Sequence, residues 1–151
     1  MREKILLVDD DPAVRRMLSR LLSEEHYSVL TAINGMEALE LAKNTRIDLV
    51  LLDLNLPVKN GWDTFEGLTR ENPFLPIVII TARSNQIFPS LAAGVGALME
   101  KPLDLPTLLQ TIRELLAEPA ATRLARMAGR PTQFHYVPPK GREKAGLAQK
   151  S

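Results

Sequence analysis

Residues able to do chemistry gather where apolar runs end. ILLV at 5–8 leads straight into Asp9, Asp10 and Asp11, and LVLL at 49–52 leads into Asp53, with Asn55 two residues on. IVII at 77–80 ends at Thr81-Ala82, and Ala97-Leu98-Met99 is followed by Lys101-Pro102. Clustered carboxylates repel one another unless a cation neutralises them. The chain has no cysteine, and its two histidines, His26 and His135, are isolated, so the ligands on offer are hard oxygens. Such a set suits Mg²⁺, which prefers octahedral oxygen and keeps several waters. With metal bound, an aspartate at the end of a buried strand can attack phosphorus and form an acyl phosphate. Thr81 and Lys101 would then contact the phosphoryl oxygens on the side away from the metal. Transfer of this kind works by positioning and charge neutralisation and requires no acid–base residue.

The elements that must carry these residues follow from local patterning. Asp11-Pro12 reads as an N-cap followed by proline at the first helical position. Val14, Met17, Leu18, Leu21 and Leu22 then form one apolar helix face. Tyr27–Ala32 reads as a strand, and Asn34-Gly-Met-Glu37 as a variant capping box that opens a helix. Asp48–Leu54 is a nearly continuous apolar strand opened by a solvated Asp48, and Asp63–Glu71 a short helix. Pro76–Thr81 is a fourth strand and Ala97–Met99 a weak fifth. Asp104 caps a last helix carrying Leu105, Leu108, Leu109, Ile112, Leu115 and Leu116. Met17, Met36 and Met99 are expected to fill the core. Runs such as LVLLDL do not alternate with polar residues, so they are expected to be buried on both faces of a parallel sheet. The expected fold class is α/β: a doubly wound, five-stranded parallel sheet with helices on both faces, in three layers. In that architecture, ligands and catalytic groups collect beyond the carboxyl ends of the strands.

Composition bounds the rest. At 151 residues, 45% hydrophobic and 25% charged, the chain fits one domain plus a tail. Residues 1–118 carry 12 Lys/Arg against 17 Asp/Glu, a net of −5, whereas residues 119–151 carry 7 against 1, a net of +6. A boundary is therefore expected at 118/119, with a basic tail beyond it. Ala120–Ala128 is expected to prolong the last helix with Arg123 and Arg126 on its surface, and the chain from Pro138 onward to be disordered. The tail is too short for an ordinary DNA-binding output domain. It is read as a solvated segment, with docking on the acidic residues 1–118 or on a partner protein, or nucleic-acid contact, left open. The apolar run at the N-terminus is too short for a signal peptide, and no stretch approaches the ~20 apolar residues that span a membrane, so a cytoplasmic protein without membrane partners is expected.

The segments LLVDDDP, LVLLDLNLPVKNG, IVIITAR and LMEKPLD resemble, in order and over about residues 3–118, the receiver domain of bacterial two-component response regulators. The resemblance implies a flavodoxin-like, chemotaxis-receiver-like fold. It implies Asp53 as phospho-acceptor, Asp9, Asp10, Asp53 and the Asn55 carbonyl as the Mg²⁺ site, and Thr81 and Lys101 as phosphoryl contacts. Pro57 and Gly61 match the loop that follows the acceptor, and a cis peptide is expected at Lys101-Pro102. Partners implied are a sensor histidine kinase or phosphotransfer protein and a downstream protein target. No turnover enzyme is implied beyond self-phosphorylation and autodephosphorylation.

This sequence also departs from the family's pattern. Leu98 stands where the family usually has Tyr or Phe, so the aromatic switch is absent or carried by something smaller. Thr81 to Gly94 spans 13 residues and contains Pro89, which shortens or delays the fourth helix. Arg83 lies two residues past Thr81; with Ala82 and Leu98 it is a candidate modulator, expected to lengthen the phosphorylated lifetime. Three rival readings remain. One is a haloacid-dehalogenase-like phosphatase, which would want a second Asp where Asn55 stands. Another is a DNA-binding transcriptional regulator acting through 119–151. The last is a docking module that is never phosphorylated.

Overall fold

A computed structural model describes residues 2–56, 60–82, 85–86, 89–90, 93–128 and 134–141. Its strands are β1 (Lys4–Val8), β2 (Ser28–Ala32), β3 (Leu49–Asp53), β4 (Ile77–Thr81), β5 (Ala97–Glu100) and β6 (His135–Val137). Its helices are α1 (Pro12–Glu24), α2 (Gly35–Asn44), α3 (Gly61–Glu71), α4 (Leu105–Ala117) and α5 (Ala120–Met127). All pairings are parallel, in the order β2-β1-β3-β4-β5-β6. The chain order reverses between β1 and β3, and crevices for ligands open at such a switch point.

Side-chain alternation along the strands splits the core in two. Ile5, Leu7, Leu49, Leu51, Val78 and Ile80 pack with Leu18 and Leu22 of α1 and Leu108, Ile112 and Leu115 of α4. Leu6, Val8, Val50, Leu52, Ile77 and Ile79 pack on the other face with Ala38 of α2 and Phe65 and Leu68 of α3. The result is a three-layer doubly wound domain.

The helix starts are set by short polar side chains. Asp11 Oδ1 accepts from Ala13 N at 2.9 Å with Pro12 in the first turn, and Asn34 Oδ1 accepts from Glu37 N at 2.9 Å. Asp104 Oδ1 accepts from Thr107 N at 3.3 Å, and Asn60 Oδ1 from Asp63 N at 2.9 Å. Asn60 starts α3 two residues earlier than the sequence pattern suggests.

Four expectations are corrected. The sheet has six strands rather than five, because the tail returns as β6 and pairs with β5. A three-residue strand is too short to show a period of two, and its place depends on the open edge of β5. Secondly, α5 does not prolong α4. Pro119 has no amide hydrogen and keeps Glu118 extended (φ −66°, ψ 134°), which ends the helix. Thirdly, Arg123 and Arg126 are not surface charges. Arg123 donates to Leu115 O at 3.0 Å, closing the end of α4, and Arg126 is buried against Glu118. Lastly, Met99 is buried, but Met17 and Met36 are 44% and 61% exposed, Met17 because it borders the apolar stripe of α1 and Met36 because it sits in the first turn of α2.

Asp48 also does more than begin a strand. Its Oδ2 accepts from Lys4 N at 2.7 Å, and its own amide donates to Lys4 O at 2.8 Å, so it ties β3 to β1. In the tail, Lys140 N donates to Pro102 O at 2.8 Å; residues 142–151 lie outside the described residues.

Candidate functional site

The carboxyl ends of β1, β3, β4 and β5 meet at one edge of the sheet. Asp9 directly follows β1 and Asp53 ends the neighbouring β3, and both are buried, at 1% and 4% exposed. Asp10 is exposed beside them, and one oxygen from each of Asp9, Asp10 and Asp53 falls within 4.8 Å of the others. Lys101, just beyond β5, brings its ammonium to 3.4 Å from Asp53 Oδ2 and 3.5 Å from Asp9 Oδ2. One lysine thus faces both buried acids.

Backbone bonds fix this geometry. Asp9 N donates to Ala32 O, Leu54 N to Ile80 O and Lys101 N to Thr81 O, which carries the parallel pairing past the strand ends. Asp9 Oδ1 accepts from Asp11 N at 2.9 Å, and Arg15 Nη1 holds the Asp9 carbonyl at 2.9 Å. Asp53 Oδ1 accepts from Asn55 N at 3.0 Å, which turns the chain at once after β3. The Lys101–Pro102 peptide is cis.

These bonds occupy one oxygen of each buried acid and turn the other inward. Asp9 Oδ2 is buried and has no hydrogen-bond partner among the described residues, and the Lys101 ammonium is the charge that faces it. An orphaned carboxylate oxygen beside two further acids has the donor chemistry of a hard divalent cation site. Asp9, Asp10 and Asp53 are the residues that would hold such an ion.

The electrostatics follow from burial. Desolvation raises the Asp53 pKa above the ordinary carboxylate value, and Asp9 adds to the rise. The Asn55 amide and Lys101 pull the other way without cancelling it. For Lys101, burial favours the neutral amine, but Asp53 and Asp9 outweigh it and raise the pKa. The lysine therefore stays charged at neutral pH.

Thr81 is buried at the end of β4, in register with Glu100. Asn55 and Ala82 are exposed at the rim, and Leu98 is fully buried in β5. Arg83 and Pro57 lie outside the described residues. In the β4–β5 connection Pro89, Ser90 and Ala93 have helical backbone, and Ser90 N donates to Gln86 O at 3.0 Å. Gln86 also accepts from Trp62 Nε1 at 2.9 Å, which joins this connection to α3 beside the site. A cleft of about 360 Å³ lined by Lys43, Arg46, Asp48, Glu71 and Arg123 opens at the far edge of the sheet, and none of the site residues lines it.

A family profile described as response regulator receiver domain matches residues 5–113. The chain belongs to the response regulator receiver family. It is 42% identical over 118 residues to response regulator MprA of Mycobacterium sp. (strain KMS), covering 77% of this chain and 51% of that one. It is 39% identical over 115 residues to transcriptional regulatory protein CpxR of Escherichia coli (strain K12), covering 75% and 49%. The chain thus spans about half the length of these curated relatives, and 27% of transcriptional regulatory protein GlrR. Among solved structures, a CheY-like receiver domain protein from Methanospirillum hungatei JF-1 superposes with a TM-score of 0.73 at 32% identity, covering 77% of this chain and 94% of that one. The response regulator TrrA of Thermotoga maritima, solved in complex with Mg²⁺ and BeF, superposes at 0.69 with 30% identity, covering 75% and 98%. The receiver's open acidic edge is the edge at which its strand ends meet.

Two contacts escaped the sequence reading. Arg15 was not singled out in the sequence, yet it holds the backbone of Asp9; its place one turn into α1 was the available signal. Tyr136 donates to Glu100 Oε1 at 2.7 Å, and no local pattern links residues 36 apart.

Proposed function

We propose that this receiver takes a phosphoryl group from the phosphohistidine of a sensor kinase or phosphotransfer protein onto Asp53. A carboxylate oxygen of Asp53 forms the new O–P bond while the P–N bond breaks, and the imidazole, already protonated by solvent on its other ring nitrogen, leaves as the neutral base. Lys101 remains protonated and pairs with the transferred group. Thr81, at the adjacent strand end, supplies a hydroxyl to a phosphoryl oxygen. Asp9, Asp10, Asp53 and the Asn55 carbonyl would hold Mg²⁺, which would supply positive charge against the charge that gathers during transfer. Water later attacks phosphorus, releases inorganic phosphate and restores the carboxylate.

One observation carries this reading: the Lys101 ammonium faces Asp53 and Asp9 at 3.4 and 3.5 Å, in a cluster whose remaining oxygens suit a divalent ion. The Mg²⁺ and BeF bound by TrrA support it by similarity. The phosphatase reading is weaker, because Asn55 stands where a general acid would be needed.

The signal then passes to a partner protein in the cytoplasm. Phosphorylation biases a two-state element made of Thr81, Lys101 and the adjoining loops. An output through nucleic acid has some support in the relatives named as transcriptional regulators. Against it, Arg123 and Arg126 are engaged within the chain. The test is uptake of phosphate from acetyl phosphate with and without Mg²⁺, in wild type and Asp53→Asn. Uptake that needs both Mg²⁺ and Asp53 supports the proposal. Equal uptake by Asp53→Asn, or steady turnover of small phosphate esters, contradicts it.

A further inference from the structure

We infer that the tail strand β6 is part of the phosphoryl site, with Tyr136 as a positioning residue for Lys101. The inference rests on the reading of Asp53 as acceptor. Lys101 lies between two anchors, and both come from the tail. On its N-terminal side, the buried Glu100 accepts the Tyr136 hydroxyl at 2.7 Å. On its C-terminal side, Pro102 O accepts from Lys140 N at 2.8 Å. Between them, Lys101 N donates to Thr81 O at 2.8 Å, and the Lys101 ammonium reaches Asp53.

Without β6, Glu100 to Pro102 would be the outer edge of the sheet, held on one side only. Strand edges and loop starts with few buried contacts open most readily. The pairing of β6 with Ala97–Met99 and the two flanking bonds clamp this segment from the other side. The register brings Tyr136 opposite Leu98, so its ring packs on the same face as the β4 and β5 residues that lead to Thr81 and Glu100. Removing the Tyr136 hydroxyl should therefore loosen Lys101 and leave the acids untouched. Asp9 and Asp10 follow β1 and Asp53 ends β3, beyond the reach of β6.

The clamp also links the tail to the acceptor thermodynamically. If β6 helps hold Lys101 toward Asp53, a phosphoryl group on Asp53 must change the stability of β6 by the same coupling.

The experiment compares wild type and Tyr136→Phe as the full chain. Three quantities are measured: the rate of Asp53 phosphorylation by acetyl phosphate, the Mg²⁺ affinity through Trp62 fluorescence, and amide-exchange protection at Val137. Loss of one hydrogen bond should slow phosphorylation by roughly two- to tenfold. Mg²⁺ affinity and Val137 protection should hold at wild-type values. A rate equal to wild type overturns the inference. So does a parallel fall in rate, Mg²⁺ affinity and Val137 protection, which would make Tyr136 a structural tie alone. A wild type that takes up no phosphate overturns the Asp53 reading and this inference with it, whereas a wild type that does so while Tyr136→Phe matches it overturns the inference alone.

Discussion

Lys101 stands 3.4 Å from Asp53 while its backbone amide is bonded to Thr81 O, so the lysine that faces the candidate acceptor is fixed to the strand that carries the candidate hydroxyl. The same lysine is 3.5 Å from Asp9, so one ammonium offsets the repulsion between two buried acids.

Asp53→Asn should stabilise the protein in chelator at neutral pH. Burial raises the Asp53 pKa, so the folded protein holds the proton more tightly than the unfolded chain. The stability this contributes is complete below the unfolded pKa and is lost as pH rises through the folded one. At neutral pH the ionised carboxylate is therefore a cost, and Asn removes it while Lys101 keeps Asp9. Thermal melts should show Asp53→Asn higher by a few degrees, the scale of ~1 kcal/mol in a domain of this size. The gap should close as pH falls below the ordinary carboxylate range and should shrink when Mg²⁺ is added to wild type.

Lys101→Met should have the opposite sign. It leaves Asp9 and Asp53 facing each other across the switch point with no ammonium between them. The lysine is 30% exposed, which reduces the effect below that of a fully buried pair, to a loss of about 2 kcal/mol in chelator. Urea unfolding measures it, and Mg²⁺ should restore part of the loss. A variant as stable as wild type in chelator would mean that the charge cluster is solvated.

Gly61→Ala and Gly67→Ala should separate sharply, although both lie in α3. A Cβ at Gly61 would meet Leu54 Cα at 2.3 Å and Leu54 O at 2.8 Å, and this is backbone that cannot move without disturbing the turn after Asp53. A Cβ at Gly67 would meet only the end of the Leu39 side chain, at 2.7 Å. Gly61→Ala should cost upward of ~2 kcal/mol and weaken Mg²⁺ binding. Gly67→Ala should fall within ~1 kcal/mol of wild type, because alanine's helix propensity offsets the repacking. Equal melting temperatures for the two would refute the contact argument.

Arg126→Met should destabilise by about 3 kcal/mol, because it leaves the Glu118 carboxylate buried without its partner. Adding Glu118→Leu should recover most of that loss, since an apolar pair can replace a buried ion pair at little cost. Urea midpoints of the two single variants and the double variant give the coupling. Additive losses would show that each residue acts apart from the other.

The site was legible in the sequence because its residues end apolar runs, and a buried run rarely stops at a carboxylate that has no partner. Asp9 and Asp53 were readable for that reason, and the caps Asp11, Asn34 and Asp104 because their signals are local, whereas Lys101 was readable only from its place after the fifth strand and from the resemblance of LMEKPLD. What was not legible depends on distant partners. Arg123 and Arg126 are ordinary helix-surface residues until Pro119 turns α5 back against the end of α4. The strand at His135–Val137 exists only because β5 offers it an open edge. Met17 and Met36 fit the composition of a core, yet Met17 borders the apolar stripe of α1 and Met36 sits in the first turn of α2, which leaves both exposed.

The central claim is that Asp53 carries the phosphoryl group. The most direct measurement is to phosphorylate the chain with acetyl phosphate and Mg²⁺, reduce the acyl phosphate with borohydride, and locate the product by peptide mass mapping. The account predicts that residue 53 alone is converted to homoserine, and that conversion is lost in chelator. Conversion at Asp9 or Asp10, or an unmodified Asp53 under conditions where the chain has gained phosphate, would contradict it.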